Sequence, residues 1–282
     1  MSGTLYVVAT PIGNLEDITL RALRVLREVD VIAAEDTRRT ARLLSHHGIS
    51  SPTVSFHAHN TQTRVPQLVS RLQAGENIAI VTDAGTPGVS DPGLELVQAA
   101  VDNGITLDPI PGVSAPLTAL IASGFPIVPF TMFGFAPNRA KDRVGWLAEV
   151  GKTPHTFSFF EAPHRIQAAL RDASVLFGER PIMIARELTK LHQEFIRGTA
   201  GELSKGIVSP VGEFTVVVGP QDKELITNEM RLTDDEVALE FWRITETGDG
   251  PRRKIISDLA KRSGRSAKDV YAVIERAKKL GV

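Results

Sequence analysis

Three carboxylates in this sequence, Asp83, Glu161 and Glu187, each lie just beyond a short apolar run. In open α/β sheets, ligands bind beyond the carboxyl ends of the strands. A carboxylate in that position can accept a proton from a reacting group or hold a ligand hydroxyl or ammonium. A structural role remains open for each: Asp83 can be a turn cap, and Glu161 and Glu187 can pair with Arg165 and Arg186 to hold loops in place.

The segment from Val81 to Gly93 combines three glycines, two prolines and two aspartates directly after an apolar run. Glycine lets the backbone approach a ligand closely, and proline keeps the backbone stiff. The composition therefore predicts a rigid ligand-binding loop. The alternative is a tight strand-to-helix turn in which Asp91 caps the following helix.

Several other kinds of chemistry are not indicated. The sequence has no Walker pattern, no Gly-x-Gly-x-x-Gly and no Gly-x-Ser-x-Gly. His57 and His59 have the spacing of a ligand pair but no convincing third ligand, so no metal site is predicted. The 282 residues include no cysteine, which excludes disulfides, thiolate metal sites and cysteine nucleophiles among them.

The elements that must position these residues alternate along the first part of the chain. Apolar runs predict strands at 5–9, 31–34, 53–56, 78–81 and 105–110, with helical patterns between them. Such alternation is typical of a mostly parallel sheet covered by helices on both faces. Further on, strands are predicted at 130–135, 156–160, 181–185, 194–197 and 214–219, and the good helical patterns are confined to about 142–150 and 165–177. This predicts a second α/β domain with a mixed sheet.

The C-terminal stretch differs from the rest in charge. The whole chain has a net charge of −1, yet residues 251–282 carry an excess of seven positive charges on a helical pattern. We therefore predict three parts: an N-terminal α/β domain, residues 1–124; a second α/β domain, 130–220; and a basic helical module, 229–282. The basic excess can contact nucleic acid or be only a solvated face, and the sequence leaves both open.

The sequence also bears on location. No apolar run approaches the ~18 residues of a membrane-spanning helix. The first residues lack a basic n-region and a long apolar core, so no signal peptide is expected. We expect a cytoplasmic protein with no membrane partner.

Six short motifs, taken together in their order, resemble those of one family. They are Ala9–Leu15 (ATPIGNL), Ala33–Arg38 (AAEDTR), Asp83–Pro87 with Ser90–Gly93 (DAGTP and SDPG), Pro111–Ala115 (PGVSA), Phe160–Arg165 (FEAPHR) and Ala185–Lys190 (ARELTK). With these motifs the chain resembles the ribosomal RNA small subunit methyltransferase I family. That family belongs to the tetrapyrrole-methylase superfamily of class III methyltransferases. The resemblance covers about residues 3 to 219, and the tail resembles that family's C-terminal module more weakly.

The resemblance implies the fold class α/β, with two domains of the tetrapyrrole-methylase type, a cofactor cleft between them and a small C-terminal helical module. It implies transfer of a methyl group from S-adenosyl-L-methionine to the ribose 2′-hydroxyl of a cytidine in the decoding region of 16S rRNA. The partner would be 16S rRNA within the small ribosomal subunit or its precursor, and the protein would be a homodimer.

The resemblance and the strand ends together suggest roles for particular residues. The cofactor would be bound by Pro11, Asp83, Ala84, Gly85, Thr86, Pro87, Val89, Ser114, Ala115, Phe160, Glu161 and Ala185. A general base for the hydroxyl would be one of Asp83, Glu161 and Glu187, with His164 as a weaker candidate. RNA phosphates would be held by Arg165, Arg186, Lys190, Arg252, Arg253 and Lys254.

Two rival functions compete with this one. The first is methylation of a tetrapyrrole of the precorrin type, against which the basic tail and the motif Ala9–Leu15 speak. The second is a non-catalytic RNA-binding protein of ribosome assembly. Binding of S-adenosylmethionine separates an enzyme from such a binder.

Overall fold

The structure, a computed structural model, describes residues 2–206, 211–221, 234–246, 251–263 and 265–280. Contacts divide the chain into two units, Met1–Pro220 and Gln221–Val282. Within the described ranges, no helix has the length and apolar character needed to cross a membrane.

The first unit begins with a parallel sheet whose inner strands are buried on both faces. Its strands are β1 (Thr4–Val8), β2 (Val31–Ala34), β3 (Thr53–Ser55), β4 (Ile78–Val81) and β5 (Thr106–Ile110). Their order is β3-β2-β4-β1-β5, and every pair is parallel. Each residue of β2 and β4 is buried, as expected for strands covered by helices on both sides.

The helices after these strands supply the two covering layers. They are α1 (Leu20–Glu28), α2 (Thr37–His46), α3 (Thr61–Gln73), α4 (Leu94–Asp102) and α5 (Ala115–Ser123). Alternate residues of β2 enter opposite cores: Val31 joins Leu68 and Leu96 in one cluster, and Ile32 joins Val25 in the other. The period of two along the strand thus builds a core on each face of the sheet.

A second, mixed sheet completes the first unit. Its strands are β6 (Phe130–Phe135), β7 (Thr156–Glu161), β8 (Pro181–Arg186), β9 (Glu194–Thr199) and β10 (Phe214–Val218), in the order β6-β7-β10-β8-β9. Only the pair β6–β7 is parallel; the other three pairs are antiparallel. The helices α6 (Ala140–Val150), α7 (Ile166–Phe177) and the short α8 (Ala200–Leu203) accompany this sheet.

Helix α5 joins the two sheets. Its buried residues Ala119 and Leu120 form one cluster with Met183 and Ala185 of β8 and Val217 of β10. The second sheet therefore packs directly against a helix that follows β5 of the first sheet. This shared core explains why contacts group both sheets into one unit.

The loop after β1 packs on the loop after β8 with no room between them. A Cβ atom on Gly13 would lie 2.5 Å from Cγ of Lys190 and 2.9 Å from the carbonyl oxygen of Leu188. The neighbouring Asn14 N–H donates a hydrogen bond to Oγ1 of Thr189 at 3.1 Å. Only glycine permits this approach, so Gly13 helps set the distance between the two sheets.

The second unit contains three helices among its described residues: α9 (Asp234–Glu246), α10 (Arg252–Ser263) and α11 (Ala267–Leu280). All three contribute to one apolar core, which includes Val237, Phe241, Leu259, Val270 and Ile274. The helical periodicity of these apolar positions is what allows three short helices to bury a common face.

The predicted fold class is confirmed: the first sheet is parallel, the second is mixed, and the C-terminal elements are helices. Predicted strand limits differ from the observed ones by one or two residues. The pattern of apolar residues does not predict α5 and α8 as separate elements. The division into three domains stays a prediction.

Arg180 ties the end of the second sheet together from a buried position. Its guanidinium donates hydrogen bonds to the carbonyl oxygens of Gly151, Thr153, His155 and Gly219, at 2.6 to 3.2 Å. Burial lowers the pKa of Arg180 to about 10, so the side chain still carries its charge at neutral pH.

We expect Arg180→Ala to lower the free energy of unfolding by about 3–5 kcal/mol, because it leaves four carbonyl groups without their donor. Arg171→Ala, at an exposed position of α7, should change it by no more than ~0.5 kcal/mol. Urea unfolding of the two variants measures both effects. Equal stability of the two would contradict this structural role of Arg180.

Candidate active site

The loop after β4 is fixed at two points by neighbouring loops. Gly85 forms a two-hydrogen-bond bridge with Thr10, in which each N–H donates to the other residue's carbonyl at 2.9 Å. Oγ1 of Thr86 donates to the carbonyl oxygen of Val113 at 3.1 Å. The loops after β1, β4 and β5 therefore form one connected wall at the carboxyl edge of the first sheet.

The same loop contains backbone conformations that side chains rarely adopt. Gly85, Gly88 and Gly93 have φ angles of +82°, +84° and +144°, and Ser90 has a φ of +66° without being glycine. Gly93 is the N-cap residue of α4, which receives no hydrogen bond from a capping side chain. Asp91 therefore does not cap α4, and the capping alternative for this aspartate is wrong.

A cavity of about 390 Å³ opens between the loops of the two sheets. The first sheet contributes Ile12, Glu35, Arg39, Asp83, Ala84, Gly85, Thr86, Val89, Ser90, Asp91, Ser114, Ala115 and Pro116. The second sheet contributes Phe135, Phe160, Glu161, Ala162, Pro163, Leu188, Glu213, Phe214 and Thr215. Its volume is in the range of pockets that bind small molecules and cofactors.

Most residues predicted to bind a cofactor line this cavity. They are Asp83, Ala84, Gly85, Thr86, Val89, Ser114, Ala115, Phe160 and Glu161. Pro11 lies instead on a smaller neighbouring cavity of about 110 Å³, which also includes Arg39 and Asp83. Pro87 and Ala185 are buried and line neither cavity.

Asp83 and Glu35 form a crossed pair of hydrogen bonds between the ends of β4 and β2. Oδ1 of Asp83 accepts from the N–H of Asp36 at 3.0 Å, and Oε2 of Glu35 accepts from the N–H of Asp83 at 3.2 Å. The other oxygen of Asp83 lies 3.4 Å from the guanidinium of Arg39. Asp83 is thus engaged in holding two loops and one arginine.

The side chain of Glu161 is fully buried, at 0% exposure, and one of its two carboxylate oxygens accepts hydrogen bonds. Oε1 accepts from Arg165 and from the N–H of Ala162, both at 2.7 Å. Burial raises the pKa of Glu161 despite this hydrogen bonding and the charges of Arg165 and Arg143. Oε2 is buried and has no hydrogen-bond partner among the described residues, so it can accept from a bound donor.

Glu187 lies beside the cavity and is held by its own neighbours. Its Oε1 accepts from Nζ of Lys190 and from the N–H of Glu213, both at 2.9 Å. Burial alone would raise the pKa of Glu187, but these hydrogen bonds and the nearby cations outweigh it, so the pKa is lowered. Glu187 does not line the cavity, although Leu188 and Glu213 do.

The predicted RNA-binding cations of the first unit make internal contacts. Arg165 pairs with Glu161, and Lys190 with Glu187 and Glu213. Arg186 donates to the carbonyl of Val211 at 2.8 Å, and its side chain is only 14% exposed. Most of the charge of these residues is therefore directed into the protein.

Asp91 is a candidate for chemistry that the sequence does not reveal. It lines the cavity and is half-buried there. Burial, followed by the charges of Glu35 and Asp83, raises the pKa of Asp91 to about 6. The composition of the loop indicates a ligand, but nothing in the sequence distinguishes this aspartate from a helix cap.

Comparison with known proteins identifies the family. The family model Tetrapyrrole (Corrin/Porphyrin) Methylases matches residues 4–204. "Ribosomal RNA small subunit methyltransferase I" of Halalkalibacterium halodurans is 52% identical over 200 residues, which are 71% of this chain and 69% of that protein. The protein of the same name from Synechocystis is 46% identical over 236 residues, 80% of this chain and 84% of its own length. The chain belongs to the ribosomal RNA small subunit methyltransferase I family.

One family member differs in extent. The protein of this name from Thermotoga maritima is 46% identical over 222 residues, which are all of that protein but 78% of this chain. About a fifth of this chain therefore has no counterpart there, a share similar to that of residues 221–282.

Solved structures support the fold of the family. Uroporphyrin-III C-methyltransferase from Thermus thermophilus, in complex with S-adenyl homocysteine, superposes with a TM-score of 0.55 and is 19% identical, covering 77% of this chain and 97% of that chain. Diphthine synthase superposes with a TM-score of 0.60 at 14% identity, covering 77% and 90%. At these identities the likeness establishes the fold alone.

The raised pKa of Asp91 has a consequence for stability that can be measured without any ligand. The carboxyl group of Asp91 binds its proton more tightly in the folded protein than in the unfolded chain. Protonation of Asp91 therefore adds to the free energy of unfolding. This contribution is complete below the unfolded pKa of 3.8 and is lost as the pH rises through about 6. The full shift corresponds to ~3 kcal/mol, and solvent screening of this half-exposed group reduces it to about 1–2 kcal/mol.

We therefore expect Asp91→Asn to be more stable than the unmodified protein near pH ~7 by about 1–2 kcal/mol, with this difference vanishing near pH ~4. Urea unfolding over that range measures the difference. Asp102→Asn, the same substitution at the exposed end of α4, is the control. A difference for Asp91→Asn that is constant with pH would contradict the raised pKa.

Proposed function

We propose that this chain is an S-adenosylmethionine-dependent methyltransferase that methylates the ribose 2′-hydroxyl of a cytidine in the decoding region of 16S rRNA. The observation that carries the proposal is the cavity between the two sheets, walled by the loop after β4, in a chain that belongs to this family. The proposed partner is the small ribosomal subunit or its precursor, and the proposed location is the cytoplasm.

The cavity suits a ligand with one flat apolar part and several hydrogen-bond donors. Phe135 and Phe160 lie on its wall with ring centroids 5.1 Å apart, and they can contact a purine ring. The buried Oε2 of Glu161 needs a donor, and S-adenosylmethionine offers an amine, an ammonium and ribose hydroxyls. The loop residues Asp83–Thr86 line the same cavity. We therefore propose that these residues hold the cofactor, which supplies an electrophilic methyl group on a sulfonium.

The work of the protein in such a reaction is positioning and proton removal. Methyl transfer is an in-line displacement, so holding the two reactants in line accounts for much of the acceleration. A ribose hydroxyl is a poor nucleophile while neutral, so a carboxylate at the reaction centre assists by accepting its proton. Asp83, Glu161 and Glu187 stay predictions for this role, but each already accepts hydrogen bonds from its own neighbours.

RNA binding by the C-terminal unit is the second part of the proposal. Arg252 pairs with Glu275 at 2.8 Å and lies over the ring of Phe241, so it has a structural function. Arg253 and Lys254 are exposed on α10 and have no ion-pair partner among the described residues. These two side chains are the better candidates for contacts with RNA phosphates.

We also propose that the protein is a homodimer. Helix α5 exposes Leu117 and Ile121, one helical turn apart, and the chain that follows exposes Val128. Leu117 and Ile121 share one face of this helix, and exposed apolar side chains on one face are typical of a protein interface. Sedimentation equilibrium of the protein, and of the protein with Ile121→Lys, tests the proposal.

The rival function of tetrapyrrole methylation has weaker support. The likeness to uroporphyrin and precorrin enzymes is at 17–21% identity and reflects the shared fold. A non-catalytic assembly protein would need no cofactor cavity of this size.

The function is tested by mapping ribose methylation of 16S rRNA. Purified small subunits from a strain lacking the gene are incubated with the protein and S-adenosylmethionine, and the 2′-O-methyl groups are located by sequencing. One new 2′-O-methylcytidine in the decoding region is expected. No incorporation of methyl groups into the RNA would overturn the proposal.

Gly85→Val should lower the affinity for S-adenosylmethionine by at least about 10-fold, because a β-branched residue does not tolerate the φ of +82° and the loop must move. Gly48→Val is the matched control: Gly48 has a φ of +61°, lies after α2 and does not line either cavity. Calorimetric titration compares the two. Unchanged affinity in folded Gly85→Val would contradict the role of the loop.

Replacing Arg253 and Lys254 together by Gln should weaken binding to the small subunit and reduce the steepness of its salt dependence, by ~0.7 in the log–log slope for each lost contact with single-stranded RNA. Arg24→Gln with Lys152→Gln removes the same charge from exposed positions of the first unit and serves as the control. Binding is measured over a salt series. Equal slopes for the two double variants would show that the basic surface of α10 is only solvated.

A further inference from the structure

The loop between β8 and β9, residues 187–193, contains two backbone conformations that are unfavourable for the residues that adopt them. Glu187 has a φ of +50° and Thr189 has a φ of +64°, and neither is glycine. The left-handed region is especially unfavourable for a β-branched residue such as threonine. Such conformations persist only where the surrounding structure fixes them, and they cluster at functional sites.

Hydrogen bonds and one apolar anchor fix this loop. The N–H of Lys190 donates to the carbonyl oxygen of Glu187, and the N–H of Gln193 donates to that of Lys190, both at 3.0 Å. The N–H of Thr189 donates to Oε1 of Gln193 at 2.7 Å. Leu188 is buried in the apolar cluster that joins the two sheets. The loop is therefore held in one conformation by its own backbone and by the core.

The tip of this loop, Leu191 and His192, lies in solvent. Leu191 is 93% exposed, the highest value among the exposed large apolar side chains of the described chain. His192 is exposed as well, and none of the residues that the structure describes forms a hydrogen bond, an ion pair or a ring contact with it. Single exposed apolar residues are common on proteins. A leucine held in water by a strained, hydrogen-bonded loop gains nothing from burial, so folding alone does not explain it.

The tip lies beside the rim of the main cavity. Leu188, three residues before Leu191, lines that cavity, and so does Glu213. Nζ of Lys190, the residue that precedes the tip, lies 3.1 Å from Oε2 of Glu213. A large substrate that inserts one group into the cavity would therefore contact the surface of the protein close to the tip.

The chemistry of the tip suits an RNA base better than a phosphate. The cations beside it are paired with carboxylates: Arg186 with Glu194, and Lys190 with Glu187 and Glu213. The tip itself offers an apolar side chain and a planar imidazole ring. Proteins bind unstacked RNA bases on the rings of phenylalanine, tyrosine, tryptophan and histidine. They also insert apolar side chains between neighbouring bases of a nucleic acid.

We propose that Leu191 and His192 contact a base of the RNA beside the methylated nucleotide and thereby position the target ribose over the cavity. This positioning role rests on the proposed function and adds to it a contact from the second sheet. A base that leaves its stack exchanges contact with its neighbour for contact with the leucine and the imidazole ring. Because the loop is already fixed, the protein loses little conformational freedom when that contact forms.

The first test measures how Leu191→Ser combined with His192→Ser binds small subunits that lack the methyl group. The affinity should fall by about 10-fold or more, the loss expected for one base stacked on a side chain. The slope of the salt dependence should stay the same, because no contact with a phosphate is removed. The affinity for S-adenosylmethionine, measured by calorimetry, should also stay the same and shows that the variant is folded. Val175→Ser, at an exposed position of α7, is the control and should bind subunits like the unmodified protein.

The second test detects the contact directly by fluorescence. His192→Trp keeps a planar ring at the tip, so it should keep the affinity for subunits, and its indole should be quenched when a base stacks on it. Val175→Trp places the same ring on α7 and should show no such quenching. Titration of the unmodified protein gives the signal of its own two tryptophans, which is subtracted from both variants.

The outcomes separate this role of the tip from the proposed function. If the unmodified protein methylates subunits and the double Ser variant binds them equally well, the tip does not contact the RNA. A lower affinity together with a reduced salt slope would show a contact with phosphates and would also overturn the proposal. Loss of self-association in sedimentation, with quenching of His192→Trp in the absence of subunits, would assign the tip to an interface with a second copy of this chain. If the unmodified protein does not methylate the subunits at all, the proposed function itself fails.

Discussion

The cavity depends on the apolar contact between α5 and the second sheet. Its two walls belong to different sheets, and Ala119 and Leu120 of α5 pack with Met183, Ala185 and Val217 to hold those sheets together. Burial of apolar side chains is the main favourable contribution to folding. Separating the two sheets would expose this apolar surface to water, which is unfavourable. The close approach at Gly13 adds a steric limit, because the backbone of one loop touches the other. The width of the cavity is therefore set by packing.

Hydrogen bonding divides the acidic residues in and beside the cavity into two groups. Asp83 and Glu35 connect the ends of β4 and β2, while Glu161 and Glu187 connect second-sheet loops to nearby arginine, lysine and backbone groups. These contacts fix the positions of the loops that would surround a ligand. Asp91 takes no part in them, which leaves its carboxylate available and raises its pKa through burial and like charge. The same cluster of charges thus supplies the framework of the loops and one carboxylate whose pKa is raised.

The C-terminal unit has a core of its own, contributed by all three of its described helices. Several of its basic residues serve that small fold: Arg265 and Arg276 both pair with Asp234, and Arg252 pairs with Glu275. The formal charge of the segment therefore overstates what a partner would meet. The Thermotoga maritima relative lacks a counterpart to about a fifth of this chain. All the residues that line the cavity belong to the first unit, Met1–Pro220.

The sequence by itself determined the order and type of most elements, because burial on both faces leaves a direct signature in composition. The runs Val31–Ala34 and Ile78–Val81 are apolar throughout, and they are the central strands of a parallel sheet. The sequence also predicts a ligand-binding loop after β4, since glycines allow a close approach of the backbone and prolines keep the loop stiff, and residues of this loop line the cavity. Only the tertiary structure decided which carboxylate oxygens receive hydrogen bonds from other residues. Asp83, Glu161 and Asp91 look alike in a sequence, and what separates them is the presence or absence of donors from residues as distant as Asp36 or as near as Ala162. Those contacts depend on the order of the strands in the sheets, and the local pattern of apolar and polar residues does not predict that order.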